Sequence, residues 1–200
     1  MGFRRIVAFL MGAWIGGSAL LIWGVYQNFN ALDEILKNPP DRVQKDAAIL
    51  GSERVRELLR YTVGIENADA FSTWEEIQIG IGLLAAVLLF LESSTRVLSS
   101  IPLAMTLLVL FLHFKISPDL AWLHRQFAFT PWMAESRQRD QFWKLHAIYE
   151  GIEFVKCLFG IVLTQILFLG PNTRYRRKRR RRAAAETAPE KDPKVESRQA

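Results

Sequence analysis

Cysteine is almost missing from this chain: Cys157 stands alone in an apolar run, so no disulfide can close within the chain and no Cys-x-x-Cys pair exists. Histidine is scarce as well, with 3 in 200 residues and no tight His-x-x-x-His pair. No Walker loop, nucleophile elbow, His-Glu-x-x-His helix or dinucleotide fingerprint occurs, which leaves little ground for enzymatic chemistry. Most telling is where charge is missing. Ile6 to Tyr26 holds no Asp, Glu, Lys or Arg, and Ile77 to Phe114 holds only Glu92 and Arg96.

Half of the residues are hydrophobic (50%) and the mean hydropathy is +0.08, too apolar and too segregated for an ordinary soluble domain. At about 1.5 Å per residue, Ile6 to Tyr26 crosses a hydrocarbon core of roughly 30 Å. It is read as an uncleaved first helix rather than a signal peptide, being longer than an h-region and lacking a small-x-small cleavage site. The run from Ile77 is too long for one span, so it makes a helical hairpin turning around Glu92 to Arg96. A fourth span ends at Gly170 and Pro171. The expectation is an all-α integral membrane protein: a four-helix bundle over residues 1–171, with spans near 6–27, 76–94, 97–115 and 147–170, and a disordered basic tail over 172–200.

The net charge of +6 suggests nucleic acid until its source is located: eight basic residues, Arg174, Arg176, Arg177, Lys178 and Arg179 to Arg182, lie in the tail. No binding fold surrounds them and only Tyr175 interleaves, so no nucleic-acid partner is expected. Arg176, Arg177, Lys178, Arg179 and Arg180 would instead meet anionic lipid headgroups, each adding about 1 kcal/mol near the surface. Arg4 and Arg5, Arg96 and this cluster fall on one side of a four-span chain, which places both termini in the cytoplasm, with a bacterial inner membrane as the expected location. Gln27 to Glu76, with six Lys or Arg against ten Asp or Glu, then faces outward. Within it, Val43, Ala47, Leu50, Val55, Leu58, Leu59, Thr62 and Val63 form an apolar stripe at helical spacing, an amphipathic segment lying on the membrane or capping the bundle. Pro39 and Pro40 block any helix continuing into it.

Gly12 and Gly16 make a small-x-x-x-small face on the first span, reinforced by Ala13 and Gly17, and Gly80 and Gly82 thin the second, for packing within one chain or for a homo-oligomer. The candidate polar site is His113, His146, Glu150, Glu153 and Lys156. His146, Glu150, Glu153 and Cys157 are spaced four, three and four, on one face of the last helix. Counting back from Pro171 puts Lys156 roughly 22 Å and Glu153 roughly 27 Å above the basic end, and His113 reaches roughly 24 Å on its own helix. A proton or ion relay fits such intramembrane groups. A metal or haem held by His113 and His146 is the alternative, with neither metal nor cofactor identified. The plain alternative is a Glu153–Lys156 pair that only satisfies itself, with Lys156 snorkelling upward.

Three stretches carry a resemblance: Leu10, Met11, Gly12, Ala13, Trp14, Ile15, Gly16 and Gly17; Ile116, Ser117 and Pro118 with Leu120 to Gln126; and Phe142, Trp143, Lys144, Leu145 and His146 with Tyr149 and Glu150. Between Leu10 and Leu169 the chain resembles the domain-of-unknown-function 4149 family, whose eukaryotic relatives include transmembrane protein 205. The resemblance implies a four-helix membrane bundle with no assigned reaction, and singles out Trp14, Gly16, Pro118 and His146. The long charged first loop and the Arg-rich tail depart from that pattern.

Overall fold

The first helix, α1 (Phe3–Lys37), runs well past its uncharged stretch because nothing before Pro39 and Pro40 stops it; Asn38 closes it with a backbone N–H to the Glu34 carbonyl. In the computed structural model, which describes residues 2–92, 96–127 and 137–169, it is followed by α2 (Asp41–Leu50) and α3 (Ser52–Leu91). A 3-10 turn (Arg96–Ser99) then leads into α4 (Ser100–Phe111), a π-helical turn (Leu112–Ile116) and α5 (Ser117–Phe127), which together form one rod, and α6 (Arg137–Leu169) is last. There is no strand among the described residues. The tail, including Arg176, Arg177, Lys178, Arg179 and Arg180, lies outside them.

Four helical rods are long and apolar enough to cross a membrane: Phe3–Lys37, Ser52–Leu91, Arg96–Gln126 and Arg137–Leu169. Their outward faces settle the solvent. Phe9 (75% exposed), Leu20 (68%) and Phe168 (70%) point away from the bundle, where a water-soluble chain would place charge. The fold is therefore a four-span all-α membrane bundle.

The expected amphipathic stripe is helical but divided. Gly51, at φ 89° and ψ 133°, turns the chain between α2 and α3, a backbone state that L side chains avoid. A Cβ there would meet nothing within 4 Å, so only the backbone term counts. Gly51→Ala is expected to lower stability by about 1–2 kcal/mol in detergent unfolding while leaving the membrane-buried contacts intact.

The helices run beyond the expected spans. α3 is continuous from Ser52, 40 residues or about 60 Å, twice the hydrocarbon thickness, so the span expected from 76 is one part of a longer helix. Glu66, Asp69 and Glu76 looked like loop charges, yet they project to the exposed side of this helix. Beyond the bilayer α1 and α3 stay together, with Asn28 Nδ2 donating to Asn67 Oδ1 at 2.8 Å and Arg60 3.7 Å from Asp33. The third rod does not exit at Pro118. Ser117 N–H reaches back five residues to the Leu112 carbonyl, and this wide turn absorbs the proline that follows. The fourth begins at Arg137 rather than 147.

Contacts run in register. As positions rise along α1 from Ser18 through Asn28 to Asp33, their α3 partners fall from Gln78 through Asn67 to Arg60, so the two are antiparallel. Gly82 against Thr106 and Glu75 against His113 give the same sense for α3 and the third rod. Arg4 donates to the Ile166 carbonyl at 3.2 Å, joining the start of α1 to the end of α6.

The buried positions step by three and four, or by the seven that they sum to: Val7, Met11, Trp14 and Ser18 on α1; Glu75, Gln78, Gly82, Ala85 and Leu89 on α3; Pro102, Met105, Val109, Leu112 and Ile116 on the third rod; Tyr149, Lys156, Gly160, Leu163 and Leu167 on α6. This is the seam of a left-handed bundle. Gly12, Gly16 and Gly80 are off it. A Cβ on any of them meets nothing within 4 Å, so within one chain they are not the close-packing glycines expected from their spacing. Gly17, under the Trp74 ring, and Gly82, against Thr106 and Trp14, take that role.

Candidate functional site

Each seam is apolar near the basic end and turns polar about 20 Å along it, at Ser18, Gln78 and Lys156. The change of character is what defines the site. Val7, Ala8, Met11, Trp14, Ala85, Leu89, Met105, Val109, Leu163 and Leu167 form one core on the basic side of it. Among the buried side chains there, Thr106 carries the hydroxyl, and it is occupied with the Pro102 carbonyl of its own helix.

Glu75 is the centre of the polar part. Its side chain is 0% exposed, and Oε1 accepts from Ser117 Oγ at 2.6 Å and from Tyr149 OH at 2.9 Å, while Oε2 lies 3.0 Å from His113 Nδ1. The π turn and α5 supply His113 and Ser117, and α6 supplies Tyr149, whose ring stands edge-on to Phe71. One carboxylate thus joins three helical rods. His113, 20% exposed, is the side of the pair open to the outside of the bundle.

One turn along α3, Gln78 relays between α1 and α6. Its Nε2 donates to Ser18 Oγ at 3.1 Å, and its Oε1 accepts from Lys156 Nζ at 2.8 Å. Trp74 Nε1 also donates to Ser18 Oγ at 3.0 Å. Lys156 Nζ donates in addition to Glu153 Oε1 at 2.5 Å and lies 5.8 Å from the Trp14 ring centroid. A fully buried ammonium is thereby compensated by one carboxylate, one amide oxygen and an aromatic face.

Of the expected site residues, Glu153 and Lys156 do pair, but Lys156 turns inward to Gln78 rather than snorkelling upward: it is 0% exposed. His113 is buried with Glu75, not with Glu153. His146 and Glu150 form a separate, exposed pair at 3.2 Å, with the His146 ring stacked on Phe142 at 5.6 Å. His146→Ala is expected to cost no more than about 1 kcal/mol in detergent unfolding, since exposed ion pairs contribute little. Cys157 is half-buried beside Lys156 and forms no disulfide. His113 and His146 have different carboxylate partners, and among the described residues no three His, Cys, Asp or Glu side chains gather as metal ligands.

Glu75, Gln78 and Ser18 escaped the sequence reading, and Ser117 and Tyr149 entered it only through the resemblance, not as members of the polar site. Extending the three-four stripe of Leu89, Ala85 and Gly82 upward would have reached Gln78 and Glu75. No family model, curated protein or solved structure matches the chain.

Proposed function

We propose that this protein is a noncatalytic, ion-handling membrane bundle whose exchange site is the Glu75–His113 pair. The observation that carries this reading is a carboxylate with no exposed surface, deep in a membrane seam, whose partner His113 is partly open. Ionisable groups in such places line ion paths by default, because holding them there is costly. The polar network occupies the half of the bundle away from Arg4 and Arg96, and those basic flanks favour a cytoplasmic location for that end and for both termini. The site then faces the outer side of a plasma membrane, and the apolar core separates it from the cytoplasm. The basic tail would hold anionic headgroups at the inner surface. Kinship with the domain-of-unknown-function 4149 bundles is part of the proposal, through the buried Trp14 and the Pro118 turn.

The test is flux into sealed proteoliposomes carrying the full chain and an internal ion-sensitive dye. The expected result is flux above empty vesicles, reduced at least tenfold in Glu75→Gln and unchanged in His146→Ala. Folded wild-type protein in either orientation that conducts no ion would overturn the proposal.

A further inference from the structure

Resting on that ion-handling reading, we infer that the ion the site takes is a proton, held between His113 and Glu75, and not an alkali or divalent cation. The inference follows from the charges that face one another. On α3 there is Glu75, with Glu76 turned to the exposed side; on the third rod there is His113, with Lys115 exposed and paired to Asp119 at 3.1 Å; on α6 there are Tyr149, Glu153, Lys156 and the Cys157 thiol. α1 adds Ser18 and Trp14, neither of which ionises.

Two carboxylates therefore face a single ammonium. Were both carboxyls ionised and His113 neutral, the cluster would carry one uncompensated negative charge in a membrane interior, where such a charge is strongly disfavoured. One added positive charge makes it neutral, and the imidazole 3.0 Å from Glu75 Oε2 can accept that charge as a proton. A metal cation would supply the same charge but needs a cage of oxygen lone pairs aimed at it. Glu75 is surrounded the other way: Ser117 and Tyr149 both direct hydrogens at Oε1.

The test uses the full chain in lipid vesicles with nitrogen-labelled histidine, whose three rings are assigned with His124→Gln and His146→Ala. Ring nitrogen signals are followed through a pH titration, and then at fixed pH as choline is replaced by sodium or potassium. The expected result is that the His113 signal moves with pH, that its titration shifts in Glu75→Gln, and that neither alkali cation moves it. A His113 signal displaced by sodium or potassium at fixed pH would overturn the proton assignment and keep the ion site. A signal indifferent to both pH and cations would overturn the site reading as well. Should Glu75→Gln fail to fold, the wild-type titrations alone decide.

Discussion

Replacing Lys156 by Met is expected to destabilise the bundle by about 3–5 kcal/mol, the cost of breaking a buried ion pair by removing one partner. The loss is large because Lys156 has no exposed surface and two side chains depend on it. Without it the Glu153 carboxyl, 13% exposed, loses its partner, and Gln78 Oε1 loses its donor. A second change separates the pair from the position. In Glu153→Leu with Lys156→Met neither member of the pair is left unmatched, so most of the stability should return, as when a buried pair is exchanged whole for apolar side chains. Unfolding by dodecyl sulfate in mixed micelles, with Glu153→Leu alone measured beside these two variants, gives the coupling between the two sites. Full additivity would mean that the pair is not formed.

Gly82→Ala and Gly17→Ala are the next largest expected effects. A Cβ on Gly82 would land on Thr106 Oγ1, a short β-branched side chain tied to the Pro102 carbonyl, with the Trp14 ring 3.2 Å behind it. A Cβ on Gly17 would land in the Trp74 ring, which is held in place by its bond to Ser18. Neither neighbour is the free end of a flexible chain, so helices must separate, at a cost of about 1–3 kcal/mol for overpacking. Gly12→Ala and Gly16→Ala meet open space and should be neutral within about 0.5 kcal/mol on the same unfolding assay. Equal losses at all four positions would contradict the register described for α1 and α3.

That contrast marks where the sequence was legible. Four spans followed from runs without charge, because a bilayer of fixed thickness demands them. The stop before Pro39 and the Glu153–Lys156 pair were local, and local chemistry is readable from spacing. Gly12 and Gly16 satisfied a spacing rule, but a spacing rule names a face and not its neighbour; the face used is set by the seam through Met11, Trp14 and Ser18. Glu75 was hidden by its company. Among Glu66, Asp69 and Glu76 it looked like one more loop charge, and what distinguishes it is its position on the buried stripe of α3, 38 residues from His113 and 74 from Tyr149. Pairing at that range depends on how the rods pack, which the periodicity of one rod does not contain.

The account rests on Glu75 being the partner of His113, and contacts between labelled histidine ring nitrogens and glutamate side-chain carboxyls test it most directly in vesicles. The predicted contacts include one that disappears in Glu75→Gln and one that disappears in Glu150→Gln. If both survive Glu75→Gln in folded protein, the carboxylate facing His113 is another one and the site described here is wrong.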